Sequence, residues 1–94
     1  MSLRHLSLFT LKPETDTATR EQALHILRAL GDDPNIVEWR VEVSLDQRKG
    51  YVIAENALFK SEEGFQQWRV SAKHQEAVAF LRTIADWLVA DYQE

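Results

Sequence analysis

No cysteine occurs anywhere in the sequence, which excludes disulfide staples, thiolate metal sites and thiol nucleophiles together. Glycine and proline are scarce, three and two residues respectively, so collagen-like and Gly/Pro-rich flexible architectures are excluded as well. The longest apolar runs are a few residues, far from the roughly 20 that cross a bilayer. Base is not in excess: 11 Lys plus Arg stand against 15 Asp plus Glu, and the net charge of −4 is the wrong sign for counterion-release binding to nucleic acid. These absences predict a cytoplasmic protein with neither a membrane nor a nucleic acid as partner. There is no Gly-rich phosphate loop, dinucleotide fingerprint or G-x-S-x-G elbow, so nucleotide-dependent chemistry has no support and no cofactor is expected.

What is there is a globular composition, 45% hydrophobic and 28% charged over 94 residues, which fits one domain over residues 1–94. Residues 3–11 alternate, with Leu3, His5, Phe9 and Leu11 on one face and Leu6 and Leu8 on the other, and read as a strand apolar on both sides. Pro13 breaks it. Thr19 and Gln22 fit a capping box for a helix whose Ala23, Leu24, Leu27 and Leu30 share a face, and Gly31 is its expected stop. Residues 36–45 predict a second strand with Val37, Trp39, Val41, Val43 and Leu45 on one face and the charged row Glu38, Arg40, Glu42 on the other. A polar hairpin over 46–50 leads to a third strand over 51–60, on which Ile53, Glu55 and Ala57 share a side.

Ser61 with Glu62 and Glu63 marks a helix start carrying Phe65 and Trp68. Ser71 caps a further helical stretch with the stripe Ala77, Val78, Leu81, Ile84 and Ala85, and residues 87–92 close the pattern as a last strand. The order βαββαβ predicts an α+β, ferredoxin-like fold, with helices on one face of a four-stranded antiparallel sheet. The other face would expose Leu6, Leu8, Val52, Ala54, Leu58, Leu88 and Ala90, more contiguous apolar surface than a small monomer leaves in water. A second copy stacked on that face in two-fold fashion is the simplest cover, so a homodimer is expected.

Several of these segments together resemble the stress-responsive A/B barrel (Dabb) family. They are the opening Arg4-His5-Leu6-Ser7-Leu8-Phe9, the helix closed by Leu30, the pair Gly50-Tyr51, the run Phe59-Lys60-Ser61-Glu62-Glu63 leading to Trp68 and His74, and the ending Asp91-Tyr92. The resemblance implies a dimeric α+β barrel and no single function: members include a heat-stable, stress-induced plant protein and a plant polyketide cyclase that makes olivetolic acid. The cyclase branch uses two histidines and a tyrosine, and the matching positions are His5, His74 and Trp68. Trp68 departs from that pattern, because an indole N–H donates but cannot act as acid or base in water. A third histidine of that branch falls on Ile53, and its usual His-Pro pair is replaced by Ser71-Ala72. By the same matching, Leu24, Leu27, Ile53, Trp68, Trp87 and Val89 would line a cavity for a small apolar or aromatic compound. The antibiotic-biosynthesis monooxygenases share the topology and form an alternative family.

His5, His74 and Glu55 are the candidate catalytic residues. Two imidazoles meeting in a partly apolar pocket suit general acid/base work on a carbonyl compound, because histidine titrates nearest neutrality. The plainer alternative is a pair of structural histidines bonded to backbone. Glu55, if it faces the helices, needs a partner against the desolvation of its charge, and either histidine would serve; a register shift would instead send it to solvent. Two His and one Glu match the composition of a metal triad, but no H-E-x-x-H spacing occurs and no metal is expected. His25 reads as a surface residue, and Trp39 and Trp87 as core. Three functions therefore stand: a ligand-binding barrel, a cofactor-free enzyme (cyclase-, isomerase- or monooxygenase-like), and a stress-protective oligomer.

Overall fold

The computed structural model describes residues 1–94. Its elements are β1 (Leu3–Leu11), α1 (Thr17–Ala29), β2 (Ile36–Val43), β3 (Val52–Phe59), α2 (Glu62–Arg69), α3 (Ala72–Leu81) and β4 (Ala85–Gln93). The four strands form one antiparallel sheet in the order β2-β3-β1-β4, with β1 and β3 central. This is the expected ferredoxin-like arrangement, with its second crossover broken into α2 and α3 at Val70 and Ser71.

β1 alternates as its sequence dictates: Leu3, His5, Ser7, Phe9 and Leu11 are buried toward the helices, and Leu8 is 48% exposed on the outer face. On β3, Ile53, Glu55, Ala57 and Phe59 point inward. The core lies between this face and the helices, where Phe59, Leu27, Ile53 and Leu81 are the largest fully buried side chains. No helix is long and apolar enough to cross a membrane.

Local departures from the sequence expectations have identifiable causes. α1 begins at Thr17, two residues before the expected capping box, because Asp16 is the N-cap and its carboxylate accepts from the Thr19 N–H at 2.8 Å. Gly31 has no left-handed backbone, and its value is close approach: a Cβ there would lie 2.3 Å from Cδ1 of Trp39. Gly50, in the β2–β3 connection, does need its glycine, with φ at 102°.

β2 is shorter than expected and not regular. A bulge between Ile36 and Glu38 turns Val37 outward, 55% exposed, and brings Ile36 onto the core beside Trp39 and Val41; Leu45 lies beyond the strand, fully exposed. The expected stripe on α3 breaks after Leu81, because Arg82 caps the helix, Ile84 lies in the turn and Ala85 opens β4.

The outer face carries Leu6, Leu8, Val52, Ala54, Leu58, Leu88 and Ala90 with no element over it, and Leu88 is 68% exposed. Its polar end is built around Arg4. That guanidinium meets Glu94 at 2.8 and 3.0 Å, Glu38 at 3.0 Å and the Asn56 side-chain Oδ1 at 2.9 Å. The charged row of β2 pairs within this face and across its edge, Arg40 with Glu42 and Arg28 of α1 with Glu42.

Candidate functional site

The sheet register assembles the site. His5 on β1 stands directly opposite Asp91 on β4, and Glu55 on β3 stands opposite Ser7, one diagonal step from His5. Directly opposed and diagonal side chains on one sheet face lie within reach of each other. His5 Nδ1 therefore meets Asp91 Oδ1 at 2.5 Å, and His5 Nε2 meets Glu55 Oε2 at 3.1 Å and Ser7 Oγ at 3.2 Å.

His5 and Glu55 are both buried, and the Asp91 side chain is 34% exposed. Glu55 thus faces the helices, and β3 runs through this region without a register shift. An ionised carboxylate only accepts hydrogen bonds, so a carboxylate at each ring nitrogen calls for an N–H on both. Burial alone would lower the His5 pKa; hydrogen bonds and charge attraction from Glu55 and Asp91 outweigh it and hold the pKa above the ordinary value of 6.5. The doubly protonated, cationic form of His5 is accordingly the one its surroundings favour. Its inner side meets aromatic rings, with the Phe65 centroid at 4.9 Å and the Trp68 centroid at 5.7 Å.

His74 lies in the first turn of α3. Ser71 caps that helix, and its Oγ accepts from the His74 N–H at 3.3 Å. The Arg69 carbonyl lies 2.8 Å from His74 Nδ1, so Nδ1–H donates to it and Nε2 keeps its lone pair. Burial lowers the His74 pKa below 6.5; the nearby His5 and Arg69 charges push the same way, and the Arg69 carbonyl and Glu55 offset only part of this. His74 therefore has the backbone bond expected of a structural histidine, whereas His5 bonds to side chains.

Both imidazoles border a cavity of about 540 Å³ between α3 and the inward face of β1, β3 and β4, within the size range of ligand pockets. Glu55, Ser7, Asp91, Leu27, Trp87 and Val89 also border it. Leu24, Ile53 and Trp68, expected at the same wall, do not reach it. Leu24 packs on the core from α1, and Ile53 is fully buried. Trp68 turns its indole N–H away, donating to the Leu30 carbonyl at 3.1 Å, and its ring packs 4.3 Å from that of His74. Trp87, expected as core, is half-buried at the wall against Phe9.

Asp91 and Ser7 were not among the expected site residues. Both were within reach of period-two alternation, Asp91 from Trp87 and Val89 and Ser7 from His5 and Phe9. Ser7, His5 and Asp91 share the connectivity of a nucleophilic triad. With both nitrogens of His5 carrying a proton, however, the ring has no lone pair with which to take the serine proton. The two carboxylates sit on opposite nitrogens of one ring, and no group of three His, Asp or Glu side chains converges as a metal cage would require.

Solved structures share this architecture. A dimeric ferredoxin-like protein of unknown function from Thermobifida fusca YX superposes with a TM-score of 0.88 at 22% identity, over 100% of this chain and 92% of that one. The hydroxynitrile lyase of Passiflora edulis matches with a TM-score of 0.81 at 20% identity, over 97% of this chain and 91% of its own. SnoaB, a cofactor-independent oxygenase from Streptomyces nogalater, matches with a TM-score of 0.77 at 14% identity, over 99% and 92%. At these identities the likeness is one of fold. Among curated proteins none matches the chain. The family model of the stress responsive A/B barrel domain matches residues 3–94, nearly the whole length, and the chain belongs to that family, Dabb.

Proposed function

We propose that this protein binds a small, partly apolar carbonyl compound in the cavity under α3 and moves a proton on it without a cofactor. The observation that carries this reading is a pair of histidines that border one cavity, His5 from the sheet and His74 from α3, and whose surroundings drive them in opposite directions. His5 is held charged by Glu55 and Asp91, while His74 is held neutral, with its Nε2 lone pair free. Two titratable groups pushed apart in this way divide into an acid side and a base side.

His74 Nε2 takes a proton from the carbon next to the carbonyl. The resulting oxyanion lies near the His5 charge and accepts from the Ser7 hydroxyl, whose oxygen stands 3.2 Å from His5 Nε2. The same proton returns to another atom of the molecule, so isomerisation or an aldol-type ring closure needs no co-reactant. A hydroxynitrile lyase and a cofactor-independent oxygenase on this fold support the reading by analogy.

Nitrogen-detected NMR titration tests the poise of the two rings, with His5 expected above 6.5 and His74 below. Deuterium exchange next to the carbonyl of small ketones tests the chemistry. Exchange should be accelerated by the protein and abolished in His74→Gln; titration in the reverse order, or undiminished exchange in that variant, would sink the assignment.

The protein is further inferred to act as a homodimer through the outer sheet face. The exposed Leu8 and Leu88 support this, as does the dimeric neighbour of like fold. Sedimentation should give twice the 10.9 kDa chain mass; a much larger particle would instead favour a protective assembly.

A further inference from the structure

The charges around the cavity separate its two ends. Of the seven arginines, Arg4, Arg28, Arg40 and Arg48 are in ion pairs, and Arg20 stacks over the Tyr51 ring at 4.5 Å. Arg20, Arg69 and Arg82 have no side-chain hydrogen bond or ion pair, and of these Arg69 and Arg82 line the cavity. The cavity's two carboxylates, Glu55 and Asp91, are already engaged by His5. His5, Arg69 and Arg82 set three positive charges against the two carboxylates, so the cavity is positive by one charge in a protein whose net charge is −4.

The two cavity guanidiniums lie apart. Arg69 precedes His74 at the start of α3, whereas Arg82 caps the other end of that helix, about 12 Å further along its axis. β4 runs back along α3, so Asp91 stands at the His74 end and Trp87, with Phe9 beside it, at the Arg82 end. One end holds the proton-transfer groups; the other offers an aromatic wall that ends in an unpaired cation.

Resting on the cavity being the ligand site argued above, we propose that the substrate is an organic anion. Its apolar or aromatic body lies along Trp87 and Phe9, its carboxylate is gripped by Arg82, and its reacting carbonyl reaches His74 and His5. A guanidinium's planar fork fits a carboxylate in two parallel hydrogen bonds.

The test compares 4-phenylbutanoate with 4-phenylbutanamide, the same shape without the charge, by calorimetry and by the shift of the Trp87 indole resonance. The wild type should bind the acid about tenfold or more tightly than the amide. In Arg82→Gln that preference should fall to about one with the amide's affinity unchanged, and in Arg69→Gln it should persist. Arg82 is exposed and unpaired, so the variant keeps the fold, which circular dichroism checks. Equal binding of acid and amide by the wild type, a preference that survives Arg82→Gln, or binding of neither probe at millimolar concentration would each overturn the proposal. Its failure is separable from that of the proton-transfer reading. Exchange on neutral ketones without acid preference removes only the anion, and acid preference without exchange removes only the chemistry.

Discussion

Asp91→Asn isolates the outer half of the charge array around His5. The side-chain amide keeps an oxygen that accepts from Nδ1–H, so the hydrogen bond stays and only the charge is lost. Two unit charges about 4 Å apart are worth about 4 kcal/mol at an effective dielectric near 20 and about 1 kcal/mol in water. With the Asp91 side chain 34% exposed, the screened value lies toward the lower end. An effect of about 1 to 2 kcal/mol follows, which lowers the His5 pKa.

The pH dependence of stability follows from the direction of the shift. The folded pKa of His5 is raised, so its stabilising contribution is fully present below about pH 6.5 and is lost as pH rises through the folded value. The wild type should therefore exceed Asp91→Asn by about 1 to 2 kcal/mol near pH 6, and the gap should narrow toward about pH 9. Histidine NMR titration reads the pKa, and urea unfolding at the two pH values reads the stability. Identical His5 titration in both proteins, or a stability gap that does not change with pH, would refute the reasoning.

Glu55→Gln should lower the His5 pKa further than Asp91→Asn does, because Glu55 is 3% exposed and its charge is less screened; the same titration ranks the two. Gly31→Ala should destabilise the fold by about 1 to 3 kcal/mol in denaturant unfolding, since the added Cβ meets the Trp39 ring at 2.3 Å. Ser71→Ala removes the cap of α3 and should cost about 1 kcal/mol, read by thermal melting. Leu88→Glu places a charge in the exposed outer face and should shift sedimentation from dimer to monomer while circular dichroism stays unchanged.

The sequence made the sheet largely legible because period-two alternation runs through β1 and β3, and it put His5 on the inward face while leaving Glu55 open between the helices and solvent; the unshifted register of β3 decides it. β2 misled because a bulge reverses alternation locally: Val37 reads as one more inward valine until Ile36 takes its place. The sequence put Trp68 on the helix after Ser61 but not its rotation toward Leu30, which depends on where α1 ends in space. Asp91 was hidden for a different reason. A lone aspartate near the end of a strand looks like a solvated residue until the register sets it against His5, and pairing between segments so far apart has no local signature. Free arginines likewise declare themselves only once every other arginine has found its partner.

The central position of β1 bears on how the chain is made. Its lasting partners are residues 52–59 and 85–93, and His5 and Asp91 are separated by 86 positions. During synthesis, nine residues that emerge early, with apolar side chains on both faces, wait for most of the domain to leave the ribosome. Non-local pairing of this kind slows folding and leaves a sticky strand open meanwhile. The histidine between its two acids is completed only when β4 docks, so the appearance of its shifted resonance would time that docking.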